Sequence, residues 1–390
     1  MPVSERFLFQ LDNRLLYGVG RSRELGAFLR ERGISRVLVT VDEGVARHSA
    51  YYREILGIIA GVAEPVVASL RGSEEPDYDY LDEVAAGLRQ APRPELLIGI
   101  GGGSCLDMAK ALAVLLTNPG RGLDYRGFDK VQIPGVPTLL IPTTAGTGSE
   151  VTINAVFTDK KEMRKLGING RYLNATWALL DAEWTLSLPK AAAISAGMDA
   201  MTHTMESFMC RQHTSVTRMF SREAFRLLHQ DLPCLIDAPG DLQRRQNLLL
   251  GAYLAAAALF NSGSGIAGAM SYPLGVNYKI PHGICGAVLL AAVVDYNVER
   301  GYLDYAELLD LVEPGAALAP GAKARRFAEI FRQLCDRVEV PRTLSHWRVG
   351  LKDAEAIERS LLPLQAAFDQ NPIPFSAQHD APALLRRHLA

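Results

Sequence analysis

The 390-residue sequence lacks both a charge imbalance and a hydrophobic run long enough to span a bilayer. Its 41 basic and 43 acidic residues leave a net charge of −2, which argues against nonspecific binding to nucleic acid or to anionic membranes. The longest nearly unbroken apolar run, residues 248–260, contains 13 residues, whereas a spanning helix needs about 20. The N-terminal residues show no basic segment followed by an apolar one, so we predict no signal peptide. We expect a cytoplasmic protein with neither nucleic acid nor membrane as a partner.

Cysteine is also scarce, with five in the chain and no C-x-x-C pair. The five lie far apart: Cys105, Cys210, Cys234, Cys285 and Cys335. An odd number of widely spaced cysteines gives neither a disulfide framework nor zinc-finger spacing. We therefore predict reduced thiols.

The first half of the chain has the pattern of a parallel α/β domain. Short Val/Ile/Leu runs at residues 36–41, 96–100 and 138–142 are bounded by Gly, Pro and Thr, as is typical of strands buried on both faces. A helical pattern at residues 22–32 precedes the first run, and another at residues 80–89 lies between the first and the second. Strands that alternate with helices predict a parallel, doubly wound sheet.

The second half differs in composition and periodicity, and its sequence contains no good strand candidate. Ala/Leu/Met-rich stretches with helical periodicity cover residues 191–210, 221–229 and 246–260. The length of the chain also exceeds that of a usual single domain. We predict two domains, an α/β domain over residues 1–188 and an all-α domain over residues 189–390.

A glycine turn follows the predicted strand at residues 96–100. Gly101, Gly102, Gly103 and Ser104 lead into a helical pattern, and this order is typical of a phosphate site at a helix N-terminus. Ser104 is positioned to cap that helix, with Asp107 as its capping-box partner. The turn matches neither G-x-G-x-x-G nor a Walker A loop. A purely steric need for glycine explains it equally well.

A second loop with many hydroxyls follows the strand at residues 138–142. Residues 142–150 (PTTAGTGSE) include Thr143, Thr144 and Thr147, which offer donors to a phosphate or ribose. Ligands bind at the carboxyl ends of parallel strands, so two such loops favour a nucleotide site over a simple surface loop. Asp42, at the end of another strand, is able to accept ribose hydroxyls and repel a 2′-phosphate, which favours NAD over NADP. Alone, it is more typical of a helix cap.

Three residues form a candidate metal site. Asp199 and His203 are four residues apart on a predicted helix, which places both side chains on one face. His282 lies between Pro281 and Gly283, which constrain its backbone. Asp and His suit a divalent ion of borderline hardness. An ordinary surface hydrogen bond is the alternative interpretation of the Asp199–His203 pair.

These motifs together resemble the iron-containing (group III) alcohol dehydrogenases. The similar segments are residues 101–110 (GGGSCLDMAK), 141–150 (IPTTAGTGSE), 197–207 (GMDAMTHTMES), 272–275 (YPLG) and 281–283 (PHG). Their order and spacing agree over almost the whole chain. The resemblance implies a Rossmann-like NAD(P)-binding N-terminal domain and a helical C-terminal domain. It also implies a cleft for nicotinamide, substrate and a divalent metal, Fe²⁺ or Zn²⁺.

The resemblance assigns a role to each matching position. Asp42 would contact the adenosine ribose, and the turn of Gly101, Gly102, Gly103 and Ser104 would bind the pyrophosphate, with Asp107 close by. The ribose and phosphates would be held on the other side by four residues: Thr143, Thr144, Thr147 and Lys165. Three of the usual four metal ligands would be Asp199, His203 and His282.

Two positions depart from the family pattern. The fourth metal ligand is usually a histidine 14 residues before the one in Pro-His-Gly, and here that position is Gly268. Four residues later, Tyr272 replaces a histidine near the nicotinamide. We expect a three-ligand metal site with open positions for water or substrate; weaker binding or loss of the metal are the alternatives. Tyr272 is a candidate catalytic residue for proton relay or substrate orientation, or else a packing residue beside Pro273.

The predicted activity is reversible, NAD-linked oxidation of an alcohol or reduction of an aldehyde. The two departures suggest a polar or anionic aldehyde, such as a sugar-derived or phosphonate-bearing one. A lyase or cyclase related to dehydroquinate synthase and a non-catalytic cofactor-binding protein are the alternatives. The expected partners are a small-molecule substrate and further copies of the chain in a homo-oligomer, a dimer.

Overall fold

The computed structural model describes residues 6–72, 76–162 and 164–387, without the side chains of Arg164 and Lys165. The chain divides into two compact units, Leu11–Leu188 and Pro189–Ala390, and Met1–Gln10 is grouped with the second. The sequence analysis did not anticipate that residues 6–10 belong with the helical unit.

The first unit is built on a six-stranded parallel sheet. The strands of this sheet are β1 (Arg14–Tyr17), β2 (Arg36–Asp42), β3 (Glu64–Leu70), β4 (Leu96–Gly101), β6 (Thr138–Pro142) and β9 (Trp177–Leu180). Their order across the sheet is β1-β9-β6-β4-β2-β3. A smaller three-stranded sheet contains β5 (Gly127–Phe128), β7 (Asn154–Asp159) and β8 (Arg164–Asn169), of which β7 and β8 pair antiparallel. The chain runs from β2 outward to β3 and then returns to β4 on the other side of β2, so the β2–β4 boundary is a topological switch point.

Helices cover both faces of the large sheet. They are α1 (Leu25–Glu31), α2 (Glu43–His48), α3 (Ala50–Ala60), α4 (Tyr78–Leu88) and α5 (Gly103–Leu115). Alternate residues of each strand enter opposite cores: Val37 and Val39 pack with the α1 and α3 side chains, whereas Leu38 packs with those of α4 and α5. Because successive side chains of a strand point to opposite faces, this arrangement is the doubly wound sheet that the sequence predicts.

The second unit is helical. Its helices are α6 (Lys190–Met209), α7 (Ser215–Asp231), α8 (Cys234–Asp237), α9 (Leu242–Phe260), α10 (Ile266–Tyr278), α11 (His282–Glu299), α12 (Tyr305–Val312), α13 (Pro320–Arg337), α14 (Ala354–Leu361), α15 (Gln365–Phe368) and α16 (Asp380–Arg386). No strand occurs between residues 189 and 387. Helix α6 packs against α7, α9, α10 and α11, and is buried along most of its length. The predicted fold class, a Rossmann-like α/β domain and an all-α domain, is confirmed.

Two further sequence predictions concern cysteines and membrane spans. All five cysteines are buried and form no disulfide. Within the described residues, no helix combines the length and apolarity that a bilayer crossing would require.

Candidate functional site

The glycine turn lies where strand β4 ends and helix α5 begins. The strand ends at Gly101, and α5 starts at Gly103 with Gly102 as its N-cap. Ser104 therefore lies inside the first helical turn, so the prediction that it caps the helix with Asp107 is wrong. The reason is geometric, because the extended N-cap backbone conformation falls on Gly102.

The hydroxyl-rich loop packs directly against this turn. The Thr143 N–H donates to the Gly101 carbonyl at 3.0 Å, in the position that continues the β4–β6 pairing. A Cβ placed on Gly103 would lie 2.6 Å from Thr147 Oγ1, and one on Gly102 would lie 3.4 Å from Thr144 Cγ2. Glycine is therefore required at Gly103 for the loop and helix to approach this closely. The two predicted loops are brought together at the carboxyl ends of β4 and β6.

Asp42 lies at the same edge of the sheet, at the end of β2. Its Oδ1 accepts hydrogen bonds from the Gly44 and Val45 N–H groups at 2.8 and 3.2 Å, so it caps α2. A Cβ on Gly101 would lie 3.3 Å from Asp42 Cβ, which places this carboxylate beside the glycine turn. The acid and the turn therefore flank the switch point between β2 and β4, where doubly wound sheets bind nucleotides.

A buried lysine joins the helix of the turn to the hydroxyl-rich loop. Lys110, on α5, is 1% exposed, and its Nζ lies 3.1 Å from Asp107 Oδ1. The ammonium donates to the Ser149 carbonyl at 2.8 Å, to Thr152 Oγ1 at 3.3 Å and to the Asn154 carbonyl. Burial lowers the pKa of Lys110, and the Asp107 carboxylate opposes that shift.

Asp107 is fully engaged in this internal network. Its Oδ1 accepts from the Ser149 hydroxyl at 2.5 Å, and its Oδ2 accepts from the Val156 N–H at 2.9 Å. The structure thus gives Asp107 a fixed place under the loop, close to the turn. Lys165 was also expected to contact the cofactor, but its side chain lies outside the described residues.

The loop ends in a buried acid. Glu150 is 2% exposed, and burial raises the pKa of its carboxyl to about 7, although Lys110 opposes the shift. Its Oε2 has no hydrogen-bond partner among the described residues. A buried acid with such a pKa changes protonation close to neutral pH.

The candidate metal ligands cluster within the helical unit. Asp199 and His203 lie one turn apart on α6, and His282 is the first residue of α11. Asp199 Oδ1 is 3.7 Å from His203 Nε2 and 3.8 Å from His282 Nε2. The sequence-predicted residues are therefore brought together around one carboxylate oxygen.

Gly283 allows α11 to approach α6 so closely. A Cβ at Gly283 would lie 1.9 Å from the Ser195 carbonyl oxygen and 3.0 Å from Asp199 Cβ. Any larger residue would push the start of α11 away from α6. The glycine of the Pro-His-Gly segment thus sets the distance between His282 and Asp199.

The donor set of this cluster suits a divalent metal. Neighbouring ligands around a tetrahedral ion with bonds near 2.1 Å lie about 3.4 Å apart, so both measured separations exceed that distance by only a few tenths of an ångström. In the ranges 6–72, 76–162 and 164–387, no three His, Cys, Asp or Glu side chains converge enough to hold an ion as they stand. His203 Nδ1 is buried without a partner among the described residues. One carboxylate oxygen and two imidazoles therefore fit a divalent ion in the type of their donor atoms.

Glu206 occupies the space beside the glycine that replaces the usual fourth ligand. Its carboxylate is 1% exposed and accepts from the Gly265 and Gly268 N–H groups at 2.9 and 2.8 Å. A Cβ at Gly268 would lie 2.7 Å from Glu206 Oε2. Burial raises the pKa of Glu206, and the two glycine N–H groups oppose the shift. The Glu206 carboxylate thus fills space that a side chain at residue 268 would occupy.

Tyr272 stands next to the cluster. Its ring centroid is 4.8 Å from that of His282, with the planes tilted by 53°. The side chain is 43% exposed, which is more than a purely interior packing residue would show. The phenol ring is thus solvent-accessible beside His282.

Sequence reasoning assigned no role to several residues of these sites. Glu206 lies three residues after His203 on the same helical face, and Lys110 interrupts an apolar helix, so both left a recognisable signal. Ser271, whose hydroxyl lies 3.0 Å from His282 Nδ1, left none, because serines occur in too many settings.

Comparison with known protein families shows which family the chain belongs to. The family model described as "iron-containing alcohol dehydrogenase" matches residues 12–182. The model of the C-terminal region of the Fe-containing alcohol dehydrogenase family matches residues 193–388. These matches define the class as an oxidoreductase that acts on CH–OH groups. The chain belongs to the iron-containing alcohol dehydrogenase family.

Individual relatives support this membership. An NAD-dependent methanol dehydrogenase of Bacillus methanolicus is 29% identical over 344 residues, covering 88% of this chain and 90% of its own. A sulfoacetaldehyde reductase of Bilophila wadsworthia is 27% identical over 369 residues, covering 94% and 95%. A crystal structure of 1,3-propanediol oxidoreductase superposes with a TM-score of 0.90 at 25% identity, covering 98% of this chain and 100% of that one.

Proposed function

We propose that this protein is a metal-dependent, NAD(H)-linked alcohol dehydrogenase and aldehyde reductase. The observation that carries the proposal is the cluster in which Asp199 Oδ1 lies 3.7 and 3.8 Å from the Nε2 atoms of His203 and His282. One carboxylate and two imidazoles are ligands for Fe²⁺ or Zn²⁺, and fewer than four protein ligands leave a position for substrate. When bound there, a divalent metal supplies polarisation of the alcohol or carbonyl oxygen.

The carboxyl ends of β2, β4 and β6, which we call the nucleotide edge of the first unit, support the choice of cofactor. Gly101, Gly102, Gly103 and Ser104 present backbone N–H groups at a helix N-terminus, where a pyrophosphate is stabilised. Thr143, Thr144 and Thr147 would bind the other side of the nucleotide. Asp42 would accept the ribose hydroxyls, and its negative charge would repel a 2′-phosphate, so NAD is favoured over NADP. The methanol dehydrogenase relative is named as NAD-dependent.

We propose a small polar or anionic aldehyde as the substrate. Lys279 is exposed and lies three residues before His282, so its ammonium is a candidate partner for an anionic substituent. Tyr272 beside His282 would orient the substrate, since a phenol hydroxyl both donates and accepts. The sulfoacetaldehyde reductase relative is named for an anionic aldehyde.

The experiment that tests the metal-dependent activity combines elemental analysis with an assay of net NADH formation. We expect about one Fe or Zn per chain in the wild type, and loss of both metal and turnover in His282→Ala. His379→Ala, which changes an exposed histidine, is the matched control and should retain both. Bound metal with cofactor turnover but no net NADH formation on any alcohol would instead indicate a lyase or cyclase. Wild-type protein that takes up no metal would contradict the proposal.

The substrate class is tested through Lys279. This residue has a φ of 55°, which asparagine adopts more readily than most residues, so Lys279→Asn removes the charge with little backbone strain. We expect the KM for sulfoacetaldehyde or phosphonoacetaldehyde to rise about tenfold, corresponding to about 1.4 kcal/mol, while the KM for a neutral aldehyde stays unchanged. Equal changes for both substrates would contradict a contact between Lys279 and the anionic substituent, and a kcat/KM that is highest for a plain unbranched aldehyde would contradict an anionic substrate. We also expect a dimer in sedimentation experiments.

A further inference from the structure

Three glycines from different segments surround the Asp42 side chain. A Cβ on Gly44, in α2, would lie 3.0 Å from Asp42 Oδ1, and one on Gly101, at the end of β4, would lie 3.3 Å from Asp42 Cβ. Gly72, two residues after the end of β3, comes closest. A Cβ there would lie 1.9 Å from Oδ2, 2.6 Å from Cγ and 2.8 Å from Oδ1 of Asp42. The Asp42 carboxylate thus occupies the space that a side chain at residue 72 would need.

Hydrogen bonds to helix α2 hold the carboxylate in this space. Its Oδ1 accepts from the Gly44 and Val45 N–H groups at 2.8 and 3.2 Å, and these bonds cap the helix. Rotating the Asp42 side chain away from residue 72 would break them, and the loss of an N-cap destabilises a helix. Oδ2 takes no part in the cap and is the atom closest to the Cβ position of residue 72.

We propose that Gly72 determines the preference for NAD over NADP, because it leaves room for the Asp42 carboxylate. The inference rests on the proposed function, in which Asp42 accepts the ribose hydroxyls and repels a 2′-phosphate. Gly72 is a positioning residue, since it acts through Asp42. With a larger residue at position 72 the carboxylate has to move. The protein then loses both the acceptor that favours NAD and the negative charge that disfavours NADP.

The backbone at residue 72 does not itself require glycine. Its φ lies outside the left-handed region, so Gly72→Ala adds a methyl group without backbone strain. The three atoms nearest to that methyl group all belong to the Asp42 carboxyl group. The effect of Gly72→Ala on nucleotide binding should therefore disappear in a protein whose carboxyl group has already been removed by Asp42→Ala.

Isothermal titration calorimetry with NADH and NADPH tests the inference. We expect the wild type to bind NADH more tightly. Gly72→Ala should raise the Kd for NADH about ten- to hundredfold, which corresponds to the loss of hydrogen bonds to a charged acceptor, and should not raise the Kd for NADPH. In the Asp42→Ala background, Gly72→Ala should leave the ratio of the two Kd values unchanged. Gly57→Ala, on α3, is the matched control and should keep the wild-type ratio, because the described residues leave open space around its new Cβ.

The ratio of the two Kd values separates the outcomes. A general loosening of the fold by Gly72→Ala would raise both Kd values equally and would overturn the inference. A ratio that falls in Asp42→Ala but not in Gly72→Ala would also overturn it, while the proposed function would stand. If the wild type binds neither nucleotide, or if Asp42→Ala leaves the ratio unchanged, the proposed choice of cofactor fails and the inference fails with it.

Discussion

Replacing Lys110 by methionine tests whether the buried network supports the nucleotide edge of the first unit. The substitution keeps an unbranched side chain of similar length and removes the ammonium. It leaves Asp107, only 3.1 Å away, without its cation and leaves the Ser149 and Asn154 carbonyls without this donor. We expect the first unit to lose stability and the loop from Thr143 to Glu150 to lose its attachment to α5.

The size of the effect follows from burial. Both partners are shielded, since the Lys110 side chain is 0% and the Asp107 side chain 14% exposed. Removing one partner of a buried ion pair costs about 3–5 kcal/mol, because the remaining charge stays uncompensated. For a unit of this size that corresponds to a fall in Tm of roughly 6–20 °C.

Urea unfolding followed by tryptophan fluorescence would measure this loss, because two of the three tryptophans, Trp177 and Trp184, lie in the first unit. Lys190→Met is the control. Lys190 pairs with Glu339 at 2.8 Å, but the two side chains are 50% and 58% exposed. Its removal should change the free energy of unfolding by less than about 1 kcal/mol.

A double variant separates charge from packing. In Lys110→Met with Asp107→Asn, the uncompensated charge is gone while an amide oxygen can still accept from the Val156 N–H. We expect the double variant to be more stable than Lys110→Met alone by at least about 1 kcal/mol. If the free energy of unfolding of Lys110→Met lay within about 1 kcal/mol of the wild-type value, the reasoning would be refuted, because the buried ion pair would then contribute little to stability.

Two further predictions concern the same edge of the sheet. The pKa of Glu150 rises from 4.5 to about 7 on folding, so its contribution to stability is fully present below about pH 4.5 and is lost as the pH rises through about 7. Glu150→Gln should therefore stabilise the protein by up to about 3 kcal/mol at pH 8.5 but little at pH 4.5 in urea titrations; a pH-independent effect would contradict this. Gly103→Ala should displace Thr147 and raise the KM for NAD roughly ten- to hundredfold in steady-state kinetics. Gly87→Ala, where no atom lies within 4 Å of the new Cβ, should leave that KM unchanged.

Three of the four interior strands of the large sheet were predictable because they are buried on both faces, whereas the fourth, β9, was missed. The expected strands at residues 36–41, 96–100 and 138–142 appear as β2, β4 and β6, with bounds that differ by at most one residue. The edge strand β3 was missed, since all of its residues except Leu70 are exposed or only partly buried. The hairpin of β7 and β8 was also missed. A local run of apolar residues identifies a strand that is buried on both faces. It does not identify a strand whose formation depends on the strand with which it pairs.

Parts of the candidate site were predictable because their residue types and spacing are characteristic of a function. Asp199 and His203 share a helical face by spacing alone, and Asp42 was correctly seen as a possible helix cap. The capping role given to Ser104 failed because the helix begins one residue before it, at Gly103. Helix ends depend on backbone geometry within one or two residues, which sequence patterns resolve poorly.

The departure from the family pattern at Gly268 is matched by the residues around it. Glycine at position 268 leaves the space into which the Glu206 carboxylate fits, 2.7 Å from where a Cβ would be. A histidine at this position would therefore have to displace a buried carboxylate that accepts two backbone N–H groups, before its ring could reach the cluster. The carbonyl of the same glycine accepts a hydrogen bond from the Ser271 hydroxyl at 2.6 Å. Residue 268 thus acts through its backbone where the family pattern has a side chain, and such a role is visible only in three dimensions.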